Sequence, residues 1–109
     1  MNLERFKLIL YDTYQMDIQL PPLIFRYIKD FEEASYTNWA IDELLRYLEK
    51  RIPNGETLPI SSFIDLVDRF LKKINRCGKV KYKNTKMFIV AHNIMIDILD
   101  LLEAMDDDG

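Results

Sequence analysis

The chain has 109 residues, of which 49% are hydrophobic and 30% charged, and its 15 basic and 18 acidic residues give a net charge of −3. This length corresponds to one domain with enough apolar content for a core, and only three glycines and four prolines argue against disorder and a turn-rich all-β fold. The acidic balance counts against a dedicated nucleic-acid binder, and a single cysteine excludes an intrachain disulfide and favours a reducing compartment.

The spacing of apolar residues predicts three helices in the first half of the chain. The first covers about residues 3–15, with Asn2 as its N-cap. The second covers about residues 21–33 and begins at a proline pair, since proline suits the first turn of a helix. The segment 34–38, ASYTN, is predicted as a break, and a third helix follows over residues 39–51.

Two further helices are predicted in the second half. The segment 53–59, PNGETLP, is the strongest turn signal, and the fourth helix begins near its end and reaches residue 76. Gly78 stands where a C-terminal cap is expected. Residues 79–84, KVKYKN, alternate lysines with other residues, which predicts an ordered loop with extended backbone rather than a paired strand.

The most apolar run, residues 85–105, is predicted as the last helix and the buried centre of the fold. Residues 106–109 form an acidic tail that is predicted to fray. We therefore predict an all-α fold, a compact single-domain bundle of about five helices over residues 1–105, with the C-terminal helix central. The apolar arc of that helix comprises Val90, Ala91, Ile94, Met95, Ile98, Leu101, Leu102 and Met105.

Basic residues concentrate in residues 69–86, which contain no acidic residue and eight of the chain's 15 basic ones. We take Lys72, Lys73, Arg76, Lys79, Lys81, Lys83 and Lys86 as a candidate basic interaction patch. In an extended segment alternate residues point the same way, so Lys79, Lys81 and Lys83 are expected on one side. The patch is interpreted either as an anion-binding surface, with Tyr82 able to stack on a base, or as a solvated helix end and loop.

Two aromatic residues, Tyr36 and Trp39, flank the predicted break at 34–38 and form a second candidate interaction site. Aromatic residues at such places are typical interface anchors. The alternative is that they hold the two adjoining helices together.

Catalytic and metal-binding signatures are missing from the sequence, which has no HExxH, GxSxG, P-loop, GxGxxG or CxxC motif. The acidic residues of 97–108 lack the spacing of a calcium loop. His92 is interpreted as a partly buried structural residue, and Cys77 has no histidine or second cysteine near it in sequence. We expect no enzyme activity, no metal and no cofactor.

These observations favour a small non-catalytic protein-interaction module, such as an accessory or inhibitor protein. Small acidic proteins of phages and other mobile elements, anti-CRISPR proteins among them, offer a class-level analogy, with a host nuclease or replication factor as the partner. The alternative is a nucleic-acid-binding regulator that uses residues 69–86, although the 53–59 turn is long for a helix-turn-helix. Without a signal-peptide core or an apolar run of about 18 residues, we expect a cytoplasmic location and no membrane contact.

Overall fold

The computed structural model describes residues 2–15, 31–52, 57–81 and 85–108. Helix α1 is Asn2–Tyr14, α2 is Phe31–Arg51, α3 is Ile60–Lys81 and α4 is Thr85–Asp108. Within these ranges the chain forms no strand, which confirms the all-α class. The radius of gyration is 13.6 Å, close to the ~13 Å of a compact 100-residue domain.

Helix α2 contacts each of the other three helices, whereas α4 packs closely against α3 and α2. The prediction of a central C-terminal helix is therefore corrected in part, because α4 shares the centre of the described bundle with α2. Asn75 of α3 contacts His92 of α4, and these residues lie at similar distances from the junction between the two helices. A contact between residues similarly far before and after the junction means that the two helices run in opposite directions, so α3 and α4 form an antiparallel pair.

The core draws side chains from all four helices, with α4 as its largest contributor. Phe63 of α3 joins α1 to the bundle: its ring lies 6.5 Å from that of Phe6 and 5.3 Å from that of Tyr14, measured between centroids. The α4 contribution follows a helical spacing and consists of Val90, Ala91, Ile94, Met95, Ile98, Leu99 and Leu102.

Helix α4 departs from the predicted facing in two places. Leu99 is buried although it was not placed in the apolar arc, and Leu101 and Met105, which were placed there, are half-buried. Ile89 is 48% exposed. The helix also extends through Asp108, so the described part of the acidic tail continues the helix, and fraying of this last turn stays a prediction.

The break predicted at residues 34–38 is not present, because α2 runs through it without interruption. Thr37, which lies in the predicted break, is buried inside the helix, and its hydroxyl donates to the Glu33 carbonyl at 2.9 Å. A threonine that bonds to the carbonyl one turn earlier satisfies its hydroxyl without ending the helix. Most of the predicted second helix lies outside the described residues, which form four helices rather than five.

Gly78 does not cap α3, which continues through it to Lys81. Residues 79–81 are therefore helical rather than extended. The expectation that Lys79 and Lys81 share one side assumed an extended backbone, whereas positions 79 and 81 of a helix fall about 200° apart around its axis. Tyr82 and Lys83 lie outside the described part of the chain, as do the side chains of Lys79 and Lys81.

Candidate anion-binding groove

An open groove of about 840 Å³ lies between the C-terminal turns of α2 and the C-terminal half of α3. We call it the basic groove, because five of the seven described residues that line it are cationic and none of these seven is acidic. From α2 it takes Tyr47 and Arg51, and from α3 it takes Arg69, Lys72, Lys73, Asn75 and Arg76.

The apolar spacing of the two helices places these side chains at the surface. Burial of Phe70 and Ile74 turns that face of α3 to the core and leaves the cations between them outside. Burial of Leu48 in α2 has the same effect on Tyr47 and Arg51, which stand four residues apart on one face.

The ring of Tyr47 is the structural centre of the groove. It stacks on Phe70 with centroids 5.2 Å apart and planes 26° apart. The guanidinium carbon of Arg51 lies 3.6 Å from the Tyr47 ring centroid, and the Lys73 ammonium lies 5.5 Å from it. Phe70 is buried and Arg51 exposed, so the ring contacts both the core and a surface cation.

Three cations of the groove lack a carboxylate partner within the described ranges, namely Arg51, Lys73 and Arg76. The other two are paired one turn back along α3. Arg69 Nε lies 3.0 Å from Asp65, and Lys72 Nζ lies 2.9 Å from Asp68. The unpaired positive charge is therefore concentrated at Arg51, Lys73 and Arg76.

The ion pair of Lys72 also affects its protonation. The hydrogen bond to Asp68, with the attraction of that carboxylate, raises the pKa of Lys72 above its ordinary value. Asp68 thus stabilises the charged form of Lys72 and offsets part of its positive charge.

The predicted basic patch is divided by the structure. Lys72, Lys73 and Arg76 line the basic groove. Lys86 does not line it, since its ammonium lies 3.5 Å from Glu32 and 3.7 Å from Glu33 at the start of α2.

Sequence reasoning missed Tyr47 and Arg51, because both belong to another helix, far from the basic segment in sequence. Their spacing of four residues in the last turns of α2 was the available signal for a cation held over a ring. Nothing in the sequence alone, however, places that pair beside Lys73.

The aromatic candidates Tyr36 and Trp39 are half-buried and pack against the core. Tyr36 Oη donates to Glu32 at 2.5 Å. Both residues lie inside α2 rather than beside a break.

His92 is half-buried, as expected, and its Nδ1 lies 2.6 Å from Asn75 Oδ1. Its ring stacks on Phe88 with centroids 6.1 Å apart. A carboxamide oxygen only accepts hydrogen bonds, so this contact favours a proton on Nδ1. In the part of the chain that the structure describes, no group of three or more His, Cys, Asp or Glu side chains could hold a metal ion.

Comparisons with known proteins assign the chain to no family, since no family model, curated protein or solved structure matches it. None of the helices among the described residues combines the length and apolarity needed to cross a bilayer.

Proposed function

We propose that the chain is a small non-catalytic interaction module that binds an acidic surface of another protein through the basic groove. The observation that supports this most is the convergence of Arg51, Lys73 and Arg76 from two helices without carboxylate partners among the described residues. Like charges held close together repel, and a bound anion removes that cost.

The arrangement suits recognition because both walls of the groove are helices packed on a common core. Side chains mounted on such elements keep their mutual geometry better than side chains on loops. A positive groove that meets a negative patch also accelerates association and excludes partners of the wrong charge. We propose that the chain is an inhibitor or accessory protein. By the class-level analogy, it is phage-encoded and acts on a host nuclease or replication factor.

The second candidate is a nucleic-acid-binding regulator, which the five cations of the groove favour. Lysine and arginine contacts with phosphates provide most non-specific affinity for nucleic acids. The contacts of the Tyr47 ring with Phe70 and Arg51 count against this candidate, because stacking on a free aromatic face is a main source of single-strand binding.

Capture of a partner by the tagged full chain tests the proposal, with Arg51→Glu and Lys50→Glu as a matched pair. Lys50 is exposed and adjacent to Arg51 but does not line the groove, so both changes shift the net charge equally. We expect the wild type and Lys50→Glu to retain one protein at near-stoichiometric yield from an extract of the source cells, and Arg51→Glu to lose it.

Two results would contradict this function. Equal loss in the two variants would show that total charge matters rather than the groove. Salt-sensitive binding of labelled DNA by the wild type, with no protein retained, would favour the nucleic-acid regulator instead.

A further inference from the structure

We infer that Tyr47 and Arg51 form a pre-organised carboxylate clamp, and that the ligand of the basic groove is a short acidic peptide segment. This inference rests on the proposed function and specifies the chemistry of the partner. Tyr47 acts as a positioning residue for Arg51, which makes the contact.

The clamp is defined by two contacts between Arg51 and the residue one turn before it. The guanidinium lies over the Tyr47 ring at 3.6 Å, and its Nη1 donates to the Tyr47 carbonyl at 3.3 Å. A guanidinium has five N–H donors, so most of them remain for a ligand. An arginine held in this way loses less side-chain freedom when it binds a carboxylate with two parallel hydrogen bonds.

The ring itself is held in place from below. Tyr47 is half-buried and stacks on the buried Phe70, so its orientation is fixed by the core. Lys73 lies near the same ring, at 5.5 Å from its centroid. A ligand carboxylate bound to Arg51 therefore has a second cation close to it, and Arg76 offers a further one along the groove.

The charge around the groove indicates a short ligand. Five of the 15 basic residues line it among those described, and the other residues of the chain comprise 10 basic and 18 acidic ones. A long polyanion such as a DNA duplex extends beyond the groove. There it meets the net negative charge of the rest of the molecule, and this repulsion acts over about 10 Å at 0.1 M salt. A peptide of a few acidic residues stays within the positive region.

Carboxylates are also favoured over a nucleic acid by the surface of the groove. Among the described residues that line it, Tyr47 is the only aromatic one, and its ring contacts Phe70 and Arg51. A single-stranded nucleic acid would thus lose the base stacking that usually contributes about 1–3 kcal/mol per base.

The test uses fluorescence anisotropy with two probes of similar charge, a labelled peptide of eight glutamates and a labelled oligothymidylate of eight nucleotides, on the full chain. The wild type should bind the peptide more tightly than the DNA. Arg51→Lys keeps the charge and loses the planar fork, so its peptide affinity should fall about tenfold, which corresponds to ~1.4 kcal/mol. Lys50→Glu serves as the control outside the groove.

Variants of Tyr47 separate positioning from charge. Tyr47→Phe keeps the ring and should bind the peptide like the wild type, whereas Tyr47→Leu removes the ring and should weaken binding as much as Arg51→Lys. A melting temperature from circular dichroism shows whether Tyr47→Leu is folded, and if it is not, the comparison of Arg51→Lys with wild type decides.

The outcomes distinguish a failure of the clamp from a failure of the groove as a binding surface. If Arg51→Lys binds the peptide as tightly as the wild type while Arg51→Glu does not, the clamp is refuted and the proposed function stands. Tighter binding of oligothymidylate than of the peptide overturns the acidic-peptide ligand. If the wild type binds neither probe, both the clamp and the groove function fail.

Discussion

At the residue scale, burial separates Ile98 from Leu101, two residues of α4 that sequence spacing alone treats alike. Ile98 is fully buried, Leu101 is half-buried and Asp100 is exposed, although all three lie within one turn. The drift of a 3.6-residue period across a long apolar run explains the difference, because such a run leaves several facings nearly equivalent. Contacts with α2 and α3 determine which of these facings α4 adopts.

This facing predicts different costs for three alanine substitutions. Ile98→Ala should destabilise the fold by about 2–5 kcal/mol, because it leaves a cavity in a packed core. Leu101→Ala should cost less, and Asp100→Ala should stay within about 0.5 kcal/mol. Urea denaturation of the three variants checks the order, and a Leu101→Ala midpoint below that of Ile98→Ala would show that the helix faces the core differently.

At the element scale, the sequence predicts the existence and type of the helices better than their ends. The stripes of α1, α3 and α4 are found at the expected places, since amphipathic spacing reflects burial. The signals used for helix ends are local and were overridden. Thr37 stays inside α2 by bonding to Glu33, and Gly78 stays inside α3.

The continuity of α3 can be tested by the sign of one stability change. Glycine inside a helix has greater freedom in the unfolded chain than alanine, so Gly78→Ala should stabilise the protein by about 0.4–1 kcal/mol. If Gly78 were instead a left-handed cap, the same substitution would destabilise it. Thermal unfolding of wild type and Gly78→Ala distinguishes the two cases, because the shift in melting temperature changes direction.

At the scale of the whole molecule, the basic groove depends on the association of α2 with α3. Residues 69–86 indicated a positive region from sequence alone, and Lys72, Lys73 and Arg76 line the groove. Arg51 could not be assigned to it, because sequence spacing relates residues along one helix and says nothing of which neighbouring helix faces them. Lys86 shows the reverse case, since it lies among basic residues in sequence and beside Glu32 in space.

The central claim is that the basic groove is the binding surface, and NMR mapping of the full chain tests it most directly. Backbone amide shifts are recorded as the eight-glutamate peptide is added. We predict the largest changes at Tyr47, Arg51, Lys73 and Arg76, with all of them suppressed by high salt. Changes concentrated at Tyr36 and Trp39 or along the acidic end of α4, with none in the groove, would contradict the account.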